Sequence, residues 1–361
     1  MAGKRVSIFE VAKAAGVSHQ TVSRVINHSP NVSPATRAKV QAAIDRMGYR
    51  PSSAARALAT QRTRTIALIA GGVSYFGPLA TIASIEGMAR KHDLYVSISI
   101  LNDHEYTQDA FEQVADACLE QGVEAFVFVA PTEPMVQAAL GARIKVPRVL
   151  LTSSHGDADI ESAIAQSHNI ACLGIDQWGA MRTIAKHLSA LGHTNALYLA
   201  GPFDWRDATT RRDAWAQESK AAGIDSTVIN VDSWSGEDAY QRMGAYLNAL
   251  ADPKADLPTA IVTANDMQAL GVRRALYDHG FYVPRDVSLV GFDNMPGVDN
   301  AIPPLTTISP DFPNLGVVAM GTVLSMMGGG ENTVDLPLRH GVGVIGAPLV
   351  VRESTAAPAV R

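Results

Sequence analysis

The 361-residue chain has two cysteines, Cys118 and Cys172, far apart in sequence. Free buried thiols in a reducing compartment are the reading that follows. Aromatic residues make up 6% and charged residues 18%, against 47% hydrophobic. That balance allows a substantial core and argues against general disorder. No apolar run is long enough to cross a bilayer, and the first ten residues carry charge without an apolar stretch. Neither a membrane span nor a signal peptide is expected, which points to the cytoplasm. Metal-ligand spacing of His and Cys is also missing, so no metal or other cofactor is expected. Gly341-Val342-Gly343-Val344-Ile345-Gly346 has the letters of a dinucleotide loop. It is read as chance, because Pro348 follows and no helix or second strand can. Without a nucleotide site or a proton-transfer pair, an enzyme is not expected.

What is present is unevenly placed. The net charge is −5, yet residues 1–64 hold 11 basic and two acidic side chains, giving +9. The remaining 19 basic and 33 acidic residues give −14. A small basic head on an acidic body suits a head that meets a polyanion.

Ser7-Ile8-Phe9-Glu10 is a capping box, and Val11, Ala14 and Ala15 continue an apolar helical face. Gly16 stops that helix, and Ser18 caps a second one with Val22, Val25 and Ile26 inward. His19, Gln20 and Arg24 are left outward. Ser33-Pro34 announces a third helix with Val40, Ile44 and Met47 as its stripe. Three short helices with a glycine turn make a helix-turn-helix, whose second helix reads base edges in the major groove.

The runs Val6-Ser7-Ile8-Phe9-Glu10-Val11-Ala12 and Ala15-Gly16-Val17-Ser18-His19-Gln20-Thr21-Val22-Ser23-Arg24-Val25-Ile26-Asn27 closely resemble the lactose-repressor (LacI/GalR) family. Val32-Ser33, Thr36-Arg37, Tyr49-Arg50-Pro51 and residues 54–59 extend the likeness. The resemblance implies a DNA-facing set of Ser18, His19, Gln20, Thr21, Arg24, Asn27, Ser33, Thr36 and Leu58. In it His19, Gln20 and Arg24 read bases, and Ser33 and Thr36 touch phosphates. His19 stands where the family's namesake has tyrosine, so an operator sequence does not carry over. After Pro51, the Ala-rich stretch around Leu58 is too short to hold a helix alone in water. The resemblance makes it a hinge helix that orders in the minor groove, with Leu58 wedged into a base step.

Beyond residue 65, short apolar runs alternate with helical stretches at 66–70, 95–100, 125–129, 148–151, 196–200, 228–231, 260–262 and 288–292. This is the rhythm of parallel sheets covered by helices. Ligands of such sheets lie beyond the carboxyl ends of the strands, where Asn102, Thr152, Asp176, Asn265-Asp266 and Asp293 fall. The resemblance continues through Ala264-Asn265-Asp266, Val290-Gly291-Phe292-Asp293 and Pro303-Pro304-Leu305-Thr306-Thr307-Ile308. It implies a two-lobed, periplasmic-binding-protein-like, doubly wound α/β body.

Carried over residue by residue, Arg211, Asn265 and Asp293 match the family's polar effector contacts. Tyr75, Gly77 and Pro78 match a lining loop, and Trp234 and Phe312 match aromatic walls. Trp205 and Asp207 stand where the namesake has serines. Thr152 replaces a ligand-binding aspartate, and Gly174 a phenylalanine, near an insertion at 160–169. These departures put the namesake's own ligand preference in doubt, and a purine-responsive regulator of the same family is the rival to a sugar-responsive one.

The expected organisation is a helix-turn-helix domain at 1–50, hinge and linker at 51–64, an effector and dimerisation domain at 65–355, and a tail at 356–361. The first lobe is expected at 65–174 and 312–338, and the second at 175–311 and 339–355. With no leucine-heptad tail after Arg352, a homodimer is expected rather than a tetramer. The implied function is transcriptional repression of carbohydrate-utilisation genes from a near-palindromic double-stranded operator, relieved by a small sugar. An exported sugar-binding protein would share the body but has no use for the basic head.

Overall fold

The computed structural model describes residues 6–26, 29–50, 57, 62–101, 107–153, 158–167, 169–328, 336–339 and 341–359. Asn27, Leu58, Asn102 and most of the 51–64 hinge therefore lie outside the described residues. The chain divides into two compact units, Met1–Arg64 and Thr65–Arg361.

The first unit holds α1 (Ile8–Ala15), α2 (His19–Ile26) and α3 (Pro34–Met47). The Ser7 hydroxyl accepts from the Glu10 N–H at 3.3 Å, and the Glu10 carboxylate accepts from the Ser7 N–H at 2.7 Å. Two otherwise orphaned donors are satisfied by this exchange. Gly16 ends α1 at φ 67°, a left-handed position that a side chain would strain. Val11, Ala12, Val22, Val25, Val40 and Ala43 form the core, with Ile8 and Ala15 packed against it. Ala14, expected inward, is exposed. At 3.6 residues per turn, Ile8, Val11, Ala12 and Ala15 make the buried stripe, and Ala14 lies off it.

The second unit contains two sheets. The first is built from β1 (Thr65–Ala70), β2 (Tyr95–Ile100), β3 (Ala125–Val129), β4 (Arg148–Leu151) and β5 (Ile170–Ile175), all parallel. The second is built from β6 (Asn195–Ala200), β7 (Asp225–Asn230), β8 (Ala260–Thr263), β9 (Ser288–Phe292) and β10 (Thr306–Ile308), again parallel. Late in the chain, β11 (Leu338–Arg339) and β12 (Val342–Ile345) return to the first sheet, and β13 (Leu349–Val350) closes the second. The strand orders are β11-β12-β5-β4-β3-β1-β2 and β13-β10-β9-β8-β6-β7.

Two sequence expectations change here. Residues 342–345 belong to the first lobe, not the second, because β12 pairs in parallel with β5, from Val342 opposite Cys172 to Ile345 opposite Ile175. The last crossing between lobes therefore falls at 346–348. Within the Gly341–Gly346 run, Val342–Ile345 thus form a buried strand between β11 and β5. The tail also starts later than 356, since the Ala356 carbonyl accepts from the His193 ring at 2.9 Å and its N–H donates to Ser288 at 3.0 Å.

The sequence reading also passed over β5. It is buried on both faces along its whole length, so it shows no alternation to mark it. The supposed insertion before it contains a helix, Ala158–Gln166.

Three crossings join the lobes, and they lie side by side. The Asp176 N–H donates to the Ile345 carbonyl at 2.9 Å, and the Ser309 N–H to the Pro348 carbonyl at 2.8 Å. A bundle of short, mutually bonded segments permits a hinge without letting the lobes drift apart.

Candidate DNA-reading face and effector cavity

In the first unit, the capped start of α2 sets what faces outward. Ser18 accepts from the Thr21 N–H at 3.2 Å, and the two hydroxyls lie 3.0 Å apart. His19, Gln20 and Arg24 are exposed, whereas Val22 and Val25 on the opposite face are buried. Thr21 is half-buried. Ser33 caps α3 through the Thr36 N–H at 3.2 Å and donates to the Thr36 hydroxyl at 2.9 Å. Phe9, given no role by the sequence reading, is 64% exposed, with its ring 5.0 Å from that of His19. An exposed aromatic beside a polar reading face was hidden in sequence by its place inside the capping box.

In the second unit, a cavity of about 380 Å³ lies between the two sheets' carboxyl ends. All eleven residues expected to face an effector line it: Tyr75, Gly77, Pro78, Thr152, Trp205, Asp207, Arg211, Trp234, Asn265, Asp293 and Phe312. Gly174 lines it too. The elements that carry them are α4 (Phe76–Lys91), α5 (Gln177–Ala190), α6 (Arg206–Ala221), α7 (Asp266–Asp278) and α8 (Phe312–Met327), with the loops before them. Of the other strand-end polar groups, Asp176 and Asp266 serve structure. Asp176 caps α5 through Gly179 at 3.0 Å and pairs with Arg339 at 3.2 Å. Asp266 is fully buried and accepts from the Thr307 hydroxyl at 2.6 Å and the Met295 N–H at 2.8 Å.

Arg211 is the most heavily determined side chain of the cavity. Its Nε donates to Gln177 at 2.8 Å, its Nη1 donates to the Ala264 carbonyl, and its Nη2 lies 3.9 Å from both Asp207 and Asp293. The guanidinium plane sits 3.6 Å from the Phe292 ring centre. A buried guanidinium is tolerable only when its fork is filled in this way. Gln177, which orients it, was missed in sequence because it opens a helix and belongs to no motif of its own. Burial pushes the Asp293 carboxyl up to about 8, despite the opposing pull of Arg211. The Asp293 backbone is also held at φ 108°, a strained position for a non-glycine residue. Asn265 spends both ends on structure. Its oxygen caps α7 through the Gln268 N–H at 2.8 Å, and its amide donates to the Trp234 carbonyl at 3.1 Å.

The aromatic walls are seated by absent side chains. A Cβ on Gly72 would lie 2.3 Å from the Trp205 ring, and one on Gly201 2.7 Å from the Trp234 ring. The Phe312 ring lies against Gly77. Trp205 meets Tyr75 and Trp234 edge to face, at 86° and 81°. The Trp234 indole N–H and the Thr152 hydroxyl are buried without a hydrogen-bond partner among the described residues. Leaving such a group unpaired costs about 1–3 kcal/mol, so both are poised for an incoming oxygen.

A clamp beside the cavity ties the lobes. Arg206 is buried and donates to the Ser153 carbonyl at 3.3 and 3.0 Å and to the Glu133 carboxylate. The Arg206 N–H donates to the Pro131 carbonyl at 2.9 Å, and the Ser153 hydroxyl donates to Asp207.

Residues 7–52 match the family model described as bacterial regulatory proteins, lacI family, and residues 185–355 match the periplasmic binding protein-like domain. The lactose operon repressor of Escherichia coli (strain K12) is 30% identical over 356 residues, covering 98% of this chain and 92% of the relative. The chain belongs to the lacI family. Catabolite control protein A of Priestia megaterium is 30% identical over 338 residues, 91% of this chain and 94% of that one. A crystal structure of the Lac repressor dimer bound to operator and the anti-inducer ONPF superposes with a TM-score of 0.83 at 28% identity, covering 98% of this chain and all of that one. As a lacI-family member, the protein is a sequence-specific DNA-binding transcriptional regulator, with a helix-turn-helix head and a two-lobed α/β body. Among the described residues, no helix is long and apolar enough to cross a membrane.

Proposed function

We propose that this lacI-family regulator is a cytoplasmic homodimer, without enzymatic activity, that represses carbohydrate-utilisation genes and leaves its operator when a small sugar enters the cavity. The carrying observation is the Arg211, Asp207 and Asp293 cluster on one wall of a cavity whose two lobes Arg206 clamps together. A planar fork flanked by two carboxyl groups offers donors and acceptors to neighbouring hydroxyls, while aromatic rings receive the C–H face of a sugar. The Lac repressor it resembles was crystallised as a dimer on operator with ONPF, which supports the same pairing of DNA and a small molecule here.

On this reading His19, Gln20 and Arg24 read bases in the major groove. Ser18, Thr21, Asn27, Ser33 and Thr36 fix the head on the backbone, and Leu58 enters the minor groove. Two heads then bind half-sites one turn apart on a near-palindrome. Sugar binding favours one lobe arrangement, and the hinge at 51–64 carries that bias to the heads. Linkage makes the effect mutual, at about 1–3 kcal/mol.

The test measures the affinity of the full chain for its operator across a panel of sugars and nucleobases. Release by at least one sugar is expected. Response to a nucleobase alone would replace the sugar with a purine, and no response to either class would overturn the switch.

A further inference from the structure

The head keeps one large apolar side chain in water. Among its described residues Phe9 is the one large apolar group left exposed, while Val11, Val22, Val25 and Val40 go inward. Phe9 is the second residue of α1 and takes no part in the core. A single exposed apolar residue needs no explanation by itself, but the surroundings of this one give it a direction.

The Phe9 ring lies 5.0 Å from that of His19, tilted by 43°. His19 opens α2, and the N-terminal end of that helix is what a helix-turn-helix presents to base edges. Lys13, one turn along α1 on the same face as Phe9, is exposed. The Glu10 carboxylate would repel phosphates from this corner if it faced them. It is turned back on Ser7 instead, accepting from the N–H at 2.7 Å and from the hydroxyl at 2.9 Å.

A phenyl ring has no donor or acceptor for a phosphate or a base edge. The major groove offers such a ring one apolar group, the 5-methyl of thymine. We infer that Phe9 is a specificity-determining residue of the operator contact, its ring resting on the 5-methyl group of one pyrimidine in each half-site, beside the base that His19 meets. This deepens the DNA-reading role of the head and rests on it. Affinity then depends on whether that pyrimidine carries its methyl, so 5-methylcytosine can stand in part for thymine.

The test starts from a duplex that the full chain selects out of a random pool. Each thymine of a half-site is replaced in turn by deoxyuridine, which keeps the adenine pair and the O4 acceptor and removes only the methyl. At one position uracil is expected to weaken binding about threefold to fourfold, the scale of one methyl group withdrawn from water. In Phe9→Ala the thymine duplex is expected to bind at least that much more weakly, and the change to uracil is expected to cost nothing. With cytosine at the same position, a 5-methyl should recover about threefold in the native chain and nothing in Phe9→Ala. Phe9→Tyr keeps the ring and is expected to keep the methyl preference.

A Phe9→Ala chain that binds as tightly as the native one overturns the inference. Equal loss on thymine and uracil duplexes does so too, since it would put the ring on the sugar–phosphate backbone. A Phe9→Tyr chain with a native melting curve and no methyl preference is a third contrary result. All three leave the head standing as the DNA contact. A selection that enriches no duplex sinks that reading, and the methyl contact with it.

Discussion

The two units put polar side chains to work in opposite ways. In the head, His19, Gln20, Arg24 and Ser33 stand exposed on a small apolar core of Val11, Val22, Val25 and Val40. In the body, Arg211, Asn265 and Asp293 are withdrawn into a cavity, and each depends on neighbours brought in from distant segments. The head keeps its functional groups in water, where an isolated charge costs little. The body takes them out of water, where each must be paired or change its protonation. A single substitution should therefore subtract one contact in the head and unbalance a network in the body.

The largest effect is expected at the centre of that network. Arg211→Ala removes the fork that lies beside both Asp207 and Asp293. Operator affinity should stay near normal while the response to sugar is lost, read as a ligand-independent gel shift. A retained response would take Arg211 out of the site and remove the contrast between the units.

The head gives a smaller, separable loss. Arg24→Ala should weaken operator binding by about 1–3 kcal/mol, the scale of one base contact, so roughly fivefold to 150-fold. Effector affinity, measured by calorimetry, should not move. Equal loss of both would mean that Arg24 does not act as an independent reader.

The smallest effect sharpens the difference through pH. The Asp293 carboxyl, raised to about 8 by burial, keeps its proton in the fold, while in the unfolded chain it ionises near 3.8. The folded state thus binds more protons between those values. The stability this contributes is fully present below about pH 4 and is lost as pH rises through about 8. Asp266, raised to about 6, acts in the same direction. Asp293→Asn, neutral at every pH, should lose less melting temperature than the native chain between pH 5 and 8. Parallel curves would show that Asp293 is ionised in the fold.

Much of the head was legible because its signals are local. The Ser7–Glu10 box, Gly16, Ser18 and Ser33-Pro34 act within one helical turn, and each appears where the spacing puts it. The misplacement of Ala14 came from a one-step error in phasing the stripe. In the body, the strand ends that carry Thr152, Asn265 and Asp293 were visible from the alternation of apolar runs and helices. Gathering them into one cavity with Trp205 and Phe312 required the family resemblance.

Gln177, Ser153 and Glu133 carried no signal, since their roles exist only through partners 34, 54 and 73 residues away. The seats for Trp205 and Trp234 at Gly72 and Gly201 are likewise contacts between remote segments. The extension of the first lobe to residue 345 escaped notice because β12 is four residues long and differs from its surroundings only in its pairing.

By itself, the sequence determined the basic three-helix head, the parallel α/β body and the family, because charge, capping and apolar period are written within a few residues of one another. Tertiary structure alone decided which lobe owns residues 342–345, which side chains hold Arg211, and that every charge lining the cavity stands on the second lobe. Those outcomes depend on distances between chain segments, and distance across a fold has no fixed spacing in sequence.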